Sequence, residues 1–319
     1  MNNKLAKSLL PGIAFLTASL ALHATITIID TDYSVSSHYS DPSSNNIVSY
    51  DWDTNDNLFY QTGTSSYGFG GFYKYDYSTL TTLTLPSGSY TDFPGASVVA
   101  VGDFVYFNSS DYNNTQAIYL YDGASSVTLV STEDNYGLYA HGGDLFVTGA
   151  AGFGTNHIFW HPVNPSTGAL GTREDLGETS GASGPIAFDD DGNLYYAPGY
   201  GDLSIYKWSA VEVLAAIADP GTDPLEADGA HLWVDYSTDY PTAAGGTSMI
   251  IDQDGNLLLT LTDFGNPSAL VKFEVDGNGD YSGNTIILED DDRLGELRLY
   301  EGTLYLSSAD TIYELTYTP

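Results

Sequence analysis

The chain has 319 residues, no cysteine, and 42 acidic against 8 basic side chains, giving a formal net charge of −34. A surface so acidic repels nucleic acid and anionic lipid, and the lack of cysteine excludes disulfides and thiol chemistry. The 26 tyrosines and 34 glycines favour strands joined by tight turns.

Residues 1–24 have the pattern of a bacterial secretory signal. Lys4 and Lys7 precede an apolar run that ends in small residues, and cleavage after Ala21 or Ala24 fits this pattern. The alternative is a short membrane anchor, but the run is short for a spanning helix and contains a proline and a glycine. We therefore expect a secreted or cell-surface protein, not inserted in the membrane after signal removal, whose fold occupies residues 25–319.

A unit of similar length recurs along the rest of the chain. Each copy has an apolar residue directly after a predicted hairpin turn, and these residues are Leu58, Phe104, Leu145, Leu194, Leu257 and Leu304. Their spacings lie between 41 and 49 residues, except for the fourth, which is 63 residues. This is close to the length of a four-stranded propeller blade. The sequence therefore predicts an all-β fold, a six-bladed β-propeller.

The sixth repeat reaches the last residue of the sequence with only three predicted strands. The stretch TITIID, residues 25–30, has the alternation of a strand and would supply the fourth. An unpaired final edge would promote aggregation. We therefore predict a propeller closed by the N-terminal strand, with residues 25–30 paired to Ile312–Thr316.

The long fourth spacing indicates an insertion loop at residues 209–245. It begins with SAVEVLAAIA, the one helix-like stretch of the sequence, and continues as a long loop with one short strand. Long ordered loops on a rigid scaffold often carry function. The loop is therefore either a recognition element or a covering flap without a partner.

Three repeats share the pattern Asp-x-x-x-Asn-Leu, followed after a gap by a strand with a lysine near its end. The residues that carry this pattern are Asp53, Asn57, Leu58 and Lys74, Asp189, Gly192, Asn193, Leu194, Tyr195, Ile205, Lys207 and Trp208, and Asp252, Gly255, Asn256, Leu257, Leu270, Lys272 and Phe273. The pattern resembles the NHL repeat and the blades of gluconolactonase (senescence-marker-like) propellers. The first copy lacks the glycine, and the other three repeats keep only the hydrophobic frame. The resemblance implies a propeller fold rather than a reaction, because such propellers include lactonases, lyases and pure binding modules.

The Asp/Asn-rich turns suit a structural role, because these side chains hydrogen-bond their own turn backbone. A stronger cation candidate is DGNGDYSG, where Asp276, Asn278, Asp280 and Ser282 present oxygens at alternate positions. This resembles the start of a calcium loop, although it lacks the glycine and glutamate of the complete EF-hand pattern. We predict a calcium site at these four residues, with a solvated turn as the alternative.

No catalytic constellation is visible in the sequence. His157 and His161 imitate a zinc pair, but on a strand a spacing of four places them roughly 13 Å apart. We therefore expect a non-enzymatic propeller that binds an extracellular glycan or envelope protein. One alternative is a metal-dependent, lactonase-like hydrolase or lyase with acidic residues converging on the channel mouth. The other alternative is a structural component of an extracellular matrix, because the sequence stops directly after its last predicted strand, at the point where a sorting tail would follow.

Overall fold

The computed structural model describes residues 26–318, apart from 65–67, 114, 122, 151–154, 223 and 263–266. The predicted signal segment lies outside these residues. The described part of the chain forms six antiparallel sheets and one α-helix. The predicted all-β fold with six propeller blades is confirmed.

The strands are numbered along the chain, and each blade is described from its inner strand outward. The first two strands are β1 (Ile26–Ile28) and β2 (Tyr33–Ser40). Blade 1 contains β3 (Asn46–Trp52), β4 (Leu58–Gly63), β5 (Phe69–Tyr75) and β6 (Leu80–Thr82). Blade 2 contains β7 (Phe93–Val101), β8 (Phe104–Ser110), β9 (Gln116–Tyr121) and β10 (Val127–Ser131). Blade 3 contains β11 (Gly137–His141), β12 (Asp144–Gly149), β13 (Asn156–His161) and β14 (Glu174–Thr179). Blade 4 contains β15 (Ile186–Phe188), β16 (Leu194–Tyr196), β17 (Ser204–Trp208) and, after helix α1 (Ala210–Ala218), β18 (Leu232–Asp235). Blade 5 contains β19 (Gly245–Ile251), β20 (Leu257–Thr262), β21 (Ser268–Val275) and β22 (Tyr281–Asp290). Blade 6 contains β23 (Leu294–Tyr300), β24 (Thr303–Ser308) and β25 (Thr311–Tyr317).

The N-terminal segment closes the ring, but not with the residues that the sequence suggested. Strand β2 completes blade 6, in register from Tyr33 opposite Tyr317 to Ser40 opposite Thr311. The prediction that residues 25–30 pair with Ile312–Thr316 was therefore wrong. Strand β1 instead adds a fifth strand to blade 5, where it pairs with β22.

The chemistry of the two segments explains this exchange. Ile26 and Ile28 are partly buried against the apolar cluster between blades 5 and 6. The more polar β2 suits the outer edge of blade 6, where alternate side chains face water.

The inner strands surround a central axis. Each contacts the inner strand of the next blade, and β23 of blade 6 contacts β3 of blade 1. Apolar side chains fill the spaces between blades, as where Phe72 of blade 1 stacks on Phe107 of blade 2 with ring centroids 4.5 Å apart. Tyr50, Tyr60 and Tyr106 are also fully buried. Much of the aromatic surplus therefore packs the blades together.

The Asp/Asn-rich turns are held by their first aspartate. In the blade 4 turn, the Asp189 carboxylate accepts hydrogen bonds from the backbone amides of Asp191 at 3.1 Å and Asn193 at 2.8 Å. Asp53 and Asp252 accept the equivalent pair of bonds in blades 1 and 5. The structural interpretation of these three turns is confirmed, and it explains why the stretch recurs in the sequence.

The insertion at residues 209–245 packs against three blades: helix α1 and Leu225 contact blades 3 and 4, and Tyr236 and Tyr240 contact blade 5. Its helix α1 begins at a capping box formed by Ser209 and Glu212. Val213 and Ala216 are buried on the inward side of the helix, and the Leu225 amide donates to the Leu176 carbonyl of blade 3 at 2.7 Å. The predicted helix is confirmed, and these contacts are those of a covering element. No helix in the described part of the chain is long and apolar enough to span a membrane.

Candidate binding site at the mouth of the central channel

A cavity of about 620 Å³ opens on the face where the inner strands begin, which we call the upper face. Its volume lies within the range of small-molecule sites, roughly 300–1,000 Å³. Hydrogen-bonding or charged side chains come from the starts of several blades and their loops: Asn46, Thr64, Tyr136, Thr247, Asp292, Arg293 and Glu296. Phe93, Pro94 and Leu294 add apolar surface. The ring thus brings together residues that are far apart in the sequence.

Glu296 joins this cavity to the polar interior of the ring. It lies on inner strand β23, and its side chain is only 6% exposed. The Arg298 Nη1 donates to Glu296 Oε1 at 2.7 Å, and the Ser248 hydroxyl of blade 5 donates to the same oxygen at 3.0 Å. These two partners offset part of the cost of burying the carboxylate.

Arg298 connects three blades across the axis. Its Nη2 donates to the Val98 carbonyl of blade 2 at 2.7 Å, and its Nε donates to the Tyr50 carbonyl of blade 1 at 3.1 Å. The Asp51 Oδ2 lies 3.7 Å from Nε and accepts the Ala100 amide at 2.8 Å. We call Asp51, Glu296 and Arg298 the axial cluster.

The axial cluster places two carboxylates around one guanidinium. Burial raises the pKa of Glu296 to about 7, against the opposing attraction of Arg298. Burial also raises the pKa of Asp51, and Arg298 again opposes the shift. A carboxyl group with a pKa of about 7 at the edge of a cavity suits acid–base chemistry at neutral pH.

The predicted calcium ligands lie far from this cavity, in the turn between β21 and β22. The Asp276 carboxylate accepts the backbone amides of Asn278 at 2.8 Å and Asp280 at 3.1 Å, as in the three structural turns. The Lys207 Nζ lies 3.3 Å from the Gly279 carbonyl and brings a positive charge to the turn. These contacts are those of a self-bonded turn, and Ser282 follows on β22.

A lactonase-like metal centre at the channel does not fit the described residues. Within the ranges that the structure covers, no three or more His, Asp or Glu side chains are close enough to hold an ion. The cation next to Asp51 and Glu296 is the guanidinium of Arg298. His157 and His161 lie on β13, four residues apart on a strand, and His157 pairs with Asp175 at 3.0 Å.

Sequence reasoning missed the axial cluster and Arg293. One signal was available: Glu296 and Arg298 stand at alternate positions of the strand-like stretch ELRLY just before the last hairpin turn, where charged residues are rarely buried without a partner. Their partner Asp51 lies in the first blade, and nothing in the local sequence connects it to the sixth.

Comparison with known proteins supports the fold. No family model and no curated protein matches the chain. Among solved structures, a putative oxidoreductase (glucose dehydrogenase) from Thermus thermophilus is similar at TM-score 0.58 and 14% identity, over 89% of this chain and all of that one. A luciferin-regenerating enzyme is similar at TM-score 0.57 and 14% identity, over 89% and 95%. A calcium structure of a family AA12 carbohydrate-active enzyme from Trichoderma reesei is similar at TM-score 0.55 and 13% identity, over 93% and 98%.

These neighbours are six-bladed propeller proteins, and at such low identity they show only the architecture that the chain shares with them. The resemblance to NHL or gluconolactonase blades is not confirmed beyond that architecture.

Proposed function

We propose that this chain is an exported propeller that binds an extracellular glycan in the upper-face cavity. The observation that carries the proposal is the mixed lining of the cavity. Asn46, Thr64 and Thr247 offer hydrogen-bonding groups, while Phe93 and Tyr136 offer aromatic surface. A sugar ring has hydroxyl groups at its edge and an apolar face, so it matches both kinds of side chain.

The shape of the site favours a glycan over an envelope protein. A stable protein–protein interface buries about 800 Å² on each partner and spreads over a broad surface. The cavity is instead concave and confined to the channel mouth. Export, inferred from residues 1–24, would place this site outside the cell, where glycans are abundant.

The proposal is tested by titrating purified protein with a panel of trisaccharides in a calorimeter. Tyr136→Leu removes an aromatic ring from the cavity and is expected to weaken binding about tenfold, the loss of roughly 1.4 kcal/mol. The matched control is Tyr317→Leu, because Tyr317 is half-exposed at the end of β25 and does not line the cavity. Equal affinity of both variants would place the ligand elsewhere.

Glu296 favours a second candidate function, that of a hydrolase or lyase acting on the bound ligand. Its carboxyl group borders the cavity, and its pKa of about 7 suits a general acid or base at neutral pH. Glu296→Gln is then expected to retain ligand binding and to lose turnover of a lactone and polysaccharide panel. If the unmodified protein turns over no member of that panel, the non-enzymatic proposal stands.

Calcium at Asp276, Asn278, Asp280 and Ser282 stays a separate proposal. The exposed turn contains oxygen donors of the hard type that calcium prefers. A bound ion would have to displace the Asn278 side-chain amide, whose Nδ2 donates to Asp276 Oδ2 at 3.3 Å. Bound calcium would stabilise the fold and would take no part in ligand binding, because the cavity lies on the opposite face.

A further inference from the structure

We propose that Arg293 binds a carboxylate carried by the ligand, so that the glycan of the upper-face cavity is an acidic, uronate-type saccharide. This inference rests on the proposed function, since it names the ligand class of the same site. Arg293 lies in the loop between β22 and β23 and lines the cavity. Its side chain is exposed, and so it is accessible to a ligand.

Arg293 differs from the other Lys and Arg residues of the described chain, because each of those contacts a carboxylate or an aromatic ring. Arg298 is bound to Glu296, Arg173 lies 3.4 Å from Glu133, and Lys272 lies 3.2 Å from Glu274. Lys74 and Lys207 lie over aromatic rings. These contacts occupy the other five Lys and Arg residues of the described chain.

Arg293 itself has no such contact. No carboxylate of the described residues lies within ion-pair distance of its guanidinium, although Asp291 and Asp292 adjoin it in the sequence. The neighbouring Asp292 carboxylate accepts the backbone amide of Arg293 instead, at 2.8 Å. In a protein with a net charge of −34, a guanidinium left unpaired inside a cavity is available for a ligand.

The chemistry of the guanidinium selects the ligand group. Its planar fork of N–H donors matches the two oxygens of a carboxylate, and such charge-assisted bonds are stronger than neutral ones. Asn46, Thr64 and Thr247 suit the hydroxyl groups of the same saccharide. Asp292 and Glu296 also line the cavity, and their carboxyl groups accept hydrogen bonds from hydroxyl groups rather than from the carboxylate of the ligand. The acidic surface of the protein repels an anion at long range, but this repulsion is screened beyond about 10 Å at 0.1 M salt.

The test compares saccharides that differ only in charge. Glucuronate, galacturonate and mannuronate trisaccharides are titrated beside their methyl esters, which keep the sugar chain and lose the negative charge. A sulfated trisaccharide without carboxyl groups is included as a second anion. We expect at least one acid to bind about tenfold or more tightly than its ester, as a charged hydrogen bond predicts.

Three variants identify the residue responsible. Arg293→Gln is expected to abolish the preference for the acid while retaining affinity for the ester. Arg293→Lys should retain only part of the preference, because an ammonium lacks the planar fork. Lys272→Gln removes the same charge away from the cavity, so it should leave the preference unchanged.

The possible results separate the inference from the proposed function. Equal binding of acid and ester, or a preference that survives in Arg293→Gln, overturns the carboxylate assignment and leaves glycan binding intact. Tighter binding of the sulfated sugar than of every uronate also overturns it. Binding of no saccharide, acid, ester or sulfated, overturns the proposed function and this inference together.

Discussion

Replacing Arg298 by methionine tests whether the axial cluster holds the blades together. The substitution keeps much of the volume of the side chain and removes its charge. It deletes the hydrogen bonds to the Val98 and Tyr50 carbonyls and the ion pair with Glu296. Asp51 then loses the cation that lies 3.7 Å from it.

The expected loss follows from the burial of the groups left behind. At a pH above the Glu296 pKa of about 7, removing Arg298 costs about 3–5 kcal/mol, because the Glu296 charge then stays buried without compensation. The Arg298 and Glu296 side chains are 13% and 6% exposed, so this estimate applies to them. In a domain of this size each kcal/mol lowers Tm by about 2–4 °C, so about 3–5 kcal/mol gives a decrease of roughly 6–20 °C.

Urea unfolding followed by fluorescence measures the free energy of unfolding directly. The control is Lys272→Met, whose partner Glu274 is 43% exposed, and a surface pair of this kind is worth under about 1 kcal/mol. Combining Arg298→Met with Glu296→Gln should recover part of the loss, because the uncompensated carboxylate is then absent. A loss below about 1 kcal/mol in Arg298→Met would refute the reasoning, since the cluster would then contribute no more than a surface pair.

The remaining predictions concern pH, ring closure and calcium. Because the pKa of Glu296 rises from 4.5 to about 7 on folding, the folded state binds the extra proton between these values. The free energy of unfolding should therefore fall with rising pH by on the order of 3 kcal/mol, relative to Glu296→Gln measured in parallel. If the difference between the two proteins did not change with pH, the raised pKa of Glu296 would be contradicted. Truncation before residue 31 should lower Tm modestly, whereas truncation before residue 41 opens blade 6 and should cause aggregation; equal behaviour of the two would show that β2 does not close the ring. Calcium should raise Tm more than sodium does at matched ionic strength. Asp280→Ala should remove this additional increase in Tm, whereas Lys207→Ala should not. If calcium and sodium raise Tm equally, the turn is purely structural.

The blades could be predicted from the sequence because their signals are local. The turn from Asp189 to Asn193 and the strands on either side of it lie within a few residues of each other, so one short stretch contains both the turn chemistry and the apolar alternation. The same holds for helix α1, whose capping box lies within four residues.

Ring closure depends on information that no short stretch contains. Residues 26–28 and Tyr33–Ser40 both form strands, and the local sequence pattern does not determine which one pairs with β25. Packing decides it, because two isoleucines of the first segment fit between blades 5 and 6. The axial cluster could not be predicted from the sequence for a related reason: Asp51 and Arg298 come together only when the sixth blade meets the first.

The two arginines near the axis should perform separable tasks. Arg298 is buried and fully engaged with the protein, so its removal should lower stability and, by loosening the ring, also weaken ligand binding. Arg293 is exposed and has no ion pair among the described residues, so Arg293→Gln should leave the free energy of unfolding within about 0.5 kcal/mol of the unmodified protein. Calorimetric binding and urea unfolding of both variants measure the two effects side by side. If Arg293→Gln destabilises the fold as Arg298→Met does, Arg293 belongs to the scaffold, and its place in the cavity is not evidence for a ligand.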